Sequence, residues 1–156
     1  MSDATLKKID GACLCGQVRY EAMINPARVA ICHCTDCQVN SATSFRFGVL
    51  VRAENFRLLA GELKTYVKTA QSGNPRRLSF CPDCGTSIHG SDLENTRYYS
   101  LRLGTARQRA ELRPLQQMWC RSALPWLDSV ADMPRYAEGG KDSLMPPLRP
   151  EAPAAP

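Results

Sequence analysis

Apolar and polar residues alternate along several short stretches of the chain. Over 16–24, Val18, Tyr20, Ala22 and Ile24 fall on one side and Arg19 and Glu21 on the other, the period-two pattern of a half-buried strand. Over 45–52 the pattern returns, with Phe45, Phe47, Val49 and Val51 opposed to Arg46, Gly48, Leu50 and Arg52. Shorter runs at 63–67, 77–80 and 97–103 read as further strands, separated by turn residues such as Gly61 and Ser72-Gly73-Asn74-Pro75. Only 35–43 and 124–130 have the look of helical turns. Many short strands with few helices predict an all-β domain.

The ends of the chain break this rhythm. Residues 1–10 read as a polar lead-in. Residues 140–156 are dense in proline, which cannot join a sheet interior, so they read as a tail that a neighbouring copy could hold in a homodimer. The body of the domain is then 11–139. A chain of 156 residues is long enough to bury an ordinary core without help from metal.

Charge narrows the partners. The net charge is +5, with arginines scattered from Arg19 to Arg149 rather than gathered in a stripe. That distribution suits an anionic small substrate and argues against nucleic acid. No run approaches the ~18 apolar residues of a membrane helix, and the N-terminus lacks the apolar segment of an export signal. The expectation is a cytoplasmic protein with reduced thiols.

Reduced thiols matter because seven of the eight cysteines fall into three tight clusters: Cys13 and Cys15, then Cys32, Cys34 and Cys37, then Cys81 and Cys84. Cysteines one to three residues apart can face one ion, because the backbone between them turns around it. Disulfides are the plainer reading of an even count, but a Cys-x-Cys pair is too close to bridge without strain. Cys13, Cys15, Cys81 and Cys84 combine as two plus two into a closed tetrahedral zinc site. Each pair is followed by a glycine, Gly16 or Gly85, which permits the positive φ of a knuckle. Cys32, Cys34 and Cys37 remain for a second zinc. His33, Asp36 and His89 are weighed as its fourth ligand, and an open position is preferred. Zinc with three thiolates has net charge −1, a poor activator of water but a good acceptor of a soft thiolate. Cys120, alone at 117–121, reads as a small buried hydrophobe in a strand. Trp119, Trp126, Phe45, Phe47, Tyr98 and Tyr99 read as core or pocket-wall aromatics.

The order of these motifs is specific: Cys13-x-Cys15-Gly-x-Val18-x-Tyr20, Cys32-His-Cys34-x-x-Cys37 and Phe80-Cys81-x-x-Cys84-Gly85-Thr86-Ser87, with Pro125-Trp126 and Met133-Pro134 later. It resembles the glutathione-dependent formaldehyde-activating enzyme family from Gly11 to Gly139. The resemblance implies a β-tent fold with zinc-binding knuckles, one four-cysteine and one three-cysteine zinc, and a carbon–sulfur lyase activity on S-hydroxymethylglutathione. The sequence departs from the family at Ala106-Arg107-Gln108-Arg109, where acids are usual. The leading expectation is a zinc-dependent lyase of glutathione–aldehyde adducts. Cys32, Cys34 and Cys37 act through the metal, and Arg46 and Arg102 receive the carboxylates of the thiol. The alternative is a non-catalytic, zinc-stapled binding module for a protein or chromatin partner.

Overall fold

A computed structural model describes residues 6–70, 73–139 and 144–146. It divides into two compact units, residues up to Ser122 and residues from Ala123 on.

The first unit is built from two sheets. A three-stranded sheet pairs β1 (Lys7–Ala12) with β2 (Arg19–Ile24) and β2 with β5 (Phe56–Ala60), all antiparallel. A seven-stranded sheet contains β3 (Ala30–Cys32), β4 (Arg46–Arg52), β6 (Lys64–Thr69), β7 (Pro75–Phe80), β8 (Ser87–Asp92), β9 (Tyr98–Arg102) and β10 (Gln116–Met118). Its spatial order is β10-β3-β4-β9-β8-β7-β6. Every pair is antiparallel except β10 with β3. The all-β expectation holds, and the helix α1 (Thr35–Ser41) occupies the stretch predicted to turn.

The alternation read along β2 is what builds the core. Val18, Tyr20, Ala22 and Ile24 are each 2 % exposed or less. Val49, Val51 and Leu101 of the larger sheet join the same cluster. Aromatic rings tie the sheets together: Phe56 packs 5.6 Å from Tyr20, 5.2 Å from His89 and 5.1 Å from Tyr99. Burial of this apolar area is the main favourable term in folding.

Two readings change. β1 begins at Lys7, inside the presumed lead-in, because Ile9 finds a buried place opposite Ala22 that a polar-looking decapeptide does not advertise. Cys120 lies in a 3-10 turn, Cys120–Ser122, and is exposed rather than buried in a strand.

The second unit holds a 3-10 stretch over Pro125–Asp132 and a two-stranded sheet, β11 (Arg135–Tyr136) with β12 (Leu144–Met145). Arg135 Nη1 donates to the Pro146 carbonyl at 2.9 Å. Of the segment read as a tail, only these residues 144–146 are described. The rest of 140–156 lies outside the described residues.

Candidate metal centres and the adjoining cavity

Cys13, Cys15, Cys81 and Cys84 bring their sulfurs within 4.8 Å of one another. Two turns of the same design present them. In the first, Gly16 N–H donates to Cys13 O at 3.1 Å, with Gly16 at φ +80°. In the second, Gly85 N–H donates to Cys81 O at 3.0 Å, with Gly85 at φ +72°. The left-handed glycine lets the backbone curl around the sulfurs, where a side chain would be strained. Thr86 links the two turns, its Oγ1 accepting from Leu14 N–H at 3.1 Å and lying 3.1 Å from Cys84 Sγ. That hydroxyl, followed by backbone N–H groups, holds the Cys84 thiol down at about 5.

The spacing fits zinc. Metal–sulfur bonds of about 2.3 Å in a tetrahedron separate the sulfurs by about 3.8 Å. Cys13 and Cys15 are 3.4 Å apart, and Cys15 and Cys81 are 3.8 Å apart. Cys13 and Cys81 are buried and Cys15 is exposed, which sets this site at the rim of the core.

Cys32, Cys34 and Cys37 form the second group, their sulfurs also within 4.8 Å. Cys32 ends β3, and Cys34 caps α1, its Sγ accepting from Cys37 N–H at 3.4 Å. One turn of helix thereby returns Cys37 to the other two sulfurs. A donor from β4 points at the loop: Arg46 Nε donates to Cys37 Sγ at 3.2 Å. The Cys32 thiol and the Arg46 guanidinium together hold the Cys37 thiol down at about 5. Cys32 is pushed up, since it keeps the proton that Cys37 shares and is buried.

The three residues weighed as a fourth ligand are engaged elsewhere. His33 Nε2 lies 3.0 Å from Gln117 Oε1. Asp36 is ion-paired with Lys68. His89 lies in the sheet interior, its ring 4.3 Å from that of Tyr99, and burial holds its imidazole down at about 4. Among the described residues the second group is three cysteines.

A cavity of about 400 Å³ opens beside these three sulfurs. Strand register explains its lining. Cys32 pairs with Arg46, Gly48 with Arg102, Ser100 with Gly90, Gly90 with Leu78, and Arg76 with Lys68. Because side chains alternate across a pleat, Cys32, Arg46, Arg102, Ser100, Leu78, Arg76 and Lys68 share one face of the sheet. The core cluster takes the other. Gly48 sits within this row, and a Cβ there would come 2.5 Å from Arg46 Nη1 and 2.5 Å from Leu101 O. The glycine leaves the space through which the Arg46 side chain reaches Cys37.

Both arginines expected to serve the site line this cavity. Arg102 is 9 % exposed. Its Nη2 donates to Asn40 Oδ1 at 3.2 Å and its Nη1 to Ser100 Oγ at 3.3 Å, while its Nε has no partner among the described residues. Burial and the nearby Arg46 charge pull it down to about 10, against the opposing thiolates. Lys68, Arg76 and Asn40 were not anticipated. Nothing in the local pattern marks them, since they reach the cavity only through the pairing of β6 to β7 and the placing of α1.

Comparison with known proteins follows this geometry. No match was found among curated proteins. A crystal structure of a Rhodobacter sphaeroides protein, solved as a Northeast Structural Genomics target, superposes with a TM-score of 0.55 at 20% identity. It covers 69% of this chain and 98% of its own, a likeness of fold. The model of the glutathione-dependent formaldehyde-activating enzyme matches residues 8–122, which contain all seven clustered cysteines and the cavity. The chain belongs to the glutathione-dependent formaldehyde-activating enzyme family.

Proposed function

We propose that this protein is a zinc-dependent carbon–sulfur lyase that makes or breaks hemithioacetals of glutathione, S-hydroxymethylglutathione among them. One observation carries the reading. The three-sulfur group opens onto a cavity whose sheet face bears Arg46, Arg102, Arg76 and Lys68.

Cys13, Cys15, Cys81 and Cys84 would hold a structural zinc. Cys32, Cys34 and Cys37 would hold the second, which when bound accepts a thiolate sulfur as a soft fourth ligand. The residues of the chain do the rest. Arg46 stabilises the Cys37 thiolate through its hydrogen bond and offsets the charge gathered by three sulfurs. Arg102 has a buried guanidinium that meets no carboxylate among the described residues, so a ligand carboxylate would complete it. Lys68, ion-paired with Asp36, and Arg76, ion-paired with Asp92, line the same face. Glutathione has two carboxylates and one thiol, which matches a cavity with cations on one side and sulfur acceptors on the other.

The test is calorimetry of the zinc-loaded protein with glutathione and with S-methylglutathione. Glutathione is expected to bind at least tenfold more tightly, because a thioether is a much poorer ligand than a thiolate. Its affinity is expected to rise as the pH climbs towards the ordinary thiol pKa of about 8.5, since coordination releases a proton. Equal affinity for the two compounds would place the sulfur away from the cysteines and overturn the reading.

A further inference from the structure

Trp119 stands out from its surroundings. Its φ is +59°, in the left-handed region that a residue with a bulky side chain rarely enters. Such conformations persist where the structure around them holds both sides, and they concentrate at functional sites. Both sides are held here. On one, Met118 pairs with Cys32 across β10 and β3, and the Met118 carbonyl accepts from His33 N–H at 2.9 Å. On the other, the Trp119 carbonyl accepts from Ser122 N–H at 3.0 Å. Gln38 ties the two together, its Nε2 donating to His33 O at 2.7 Å and Ser122 O at 2.8 Å. Every anchor leads back to the loop that carries the three cysteines.

Core packing does not account for this arrangement. Trp119 is 45 % exposed, and it lines the same cavity as Cys32 and Cys34. The Arg121 guanidinium lies 4.8 Å from the ring centroid, a cation–π contact that holds the ring's orientation. An extended residue at 119 would carry β10 onward past the sulfurs. The left-handed turn stops it and leaves Trp119 on the wall of the cavity that the sulfurs line. The cavity is thus cationic along the sheet and aromatic beside the sulfurs. Carboxylates suit the first wall and have no use for the second.

We propose that Trp119 is a specificity-determining residue, packing against the substituent on the carbon that the thiol sulfur bears, and that it selects adducts of aldehydes with an apolar or aromatic group over the adduct of formaldehyde. This rests on the thiol-adduct reading above. In the forward step the thiol adds across the aldehyde carbonyl. The sulfur–carbon bond forms, the carbonyl π bond breaks, and the thiol proton ends on the oxygen; the reverse step returns all three. The adduct of formaldehyde bears no carbon substituent beside its hydroxyl and gains little from an indole. A benzyl group there would stack on it.

The experiment is calorimetric titration of the zinc-loaded protein with glutathione alone, with glutathione and formaldehyde, and with glutathione and phenylacetaldehyde, adduct concentrations being fixed by NMR. Wild type is expected to prefer the phenylacetaldehyde adduct by about tenfold or more, the scale on which an apolar pocket discriminates. Trp119→Gly is expected to bring that ratio to within about twofold, while the Tm stays level or rises, because glycine accepts the left-handed backbone. Trp119→Phe is expected to keep most of the preference. A wild-type ratio near one, or a preference that survives in Trp119→Gly, overturns the assignment. So does a drop of several degrees in the Tm of Trp119→Gly, which would make the indole a structural element. If glutathione binds and only the ratio fails, the role of Trp119 falls alone. If neither glutathione nor any adduct binds, the thiol-adduct reading falls with it.

Discussion

Cys15 and Cys81 are 66 positions apart in the chain and 3.8 Å apart in space, whereas Cys32, Cys34 and Cys37 come from six consecutive residues. Both groups offer sulfur alone, yet their settings differ. The four-sulfur group is joined by two glycine turns and a threonine bridge, and no cation is among the causes that set the acidity of Cys84. The three-sulfur group has Arg46 on one sulfur, a second buried arginine nearby and a cavity at its side. A metal bound by the first would close a long loop and act as a staple. A metal bound by the second would close a loop that a single helical turn already forms, so its binding energy would be free for a ligand.

The harshest way to break this comparison is to remove one ligand from each group. Cys81→Ser is expected to leave the chain unfolded or insoluble. A structural zinc supplies on the order of 10 kcal/mol, comparable to the whole stability of a domain, and Cys81 is fully buried in the core. Circular dichroism and thermal melting of the purified variant check this. A folded Cys81→Ser with near-normal Tm would deny the staple.

Cys34→Ser should act differently. Serine is a favoured N-cap, so its hydroxyl can still accept from Cys37 N–H and α1 should persist. The variant is expected to melt within a few degrees of wild type while losing about half of its zinc to a mild chelator. Metal analysis before and after dialysis reads this directly. If Cys34→Ser unfolds and Cys81→Ser does not, the two roles are reversed.

Arg46→Met sharpens the contrast by touching charge alone. It keeps the unbranched stem and removes the donor to Cys37 Sγ. A hydrogen bond between charged partners contributes about 1.5–3 kcal/mol, so zinc at the three-cysteine site should be held roughly tenfold more weakly, or worse. The four-cysteine site should not respond. Competition with a chromophoric chelator separates the two, and an equal effect on both would show that Arg46 serves the fold rather than the site.

Much of this contrast was legible before any fold was known. Ligand type and spacing are local properties, so the three clusters, their glycines and the two-plus-two assignment follow from residues a few positions apart. The strands of strong alternation, β2 and β4, were equally plain, because a strand with one buried face repeats every second residue. β1 escaped because Ile9 is its single large apolar residue, and the sheet, not the segment, decides that it is buried. Cys120 was misplaced for the same reason: an apolar neighbourhood in sequence says nothing of the turn that follows β10.

What the chain alone determined, then, is its chemistry: seven cysteines in groups that could hold metal, and a β-rich scaffold to carry them. What the tertiary structure decided is the company each group keeps. Arg46, Arg102, Arg76 and Lys68 come from four different strands and share one face only because β4, β9, β8, β7 and β6 pair in that order and register. Trp119 reaches the cavity only because β10 runs parallel beside β3. Strand order is set by long-range burial, which local periodicity does not encode, and it is strand order that turns three cysteines on a loop into a cavity with a cationic and an aromatic wall.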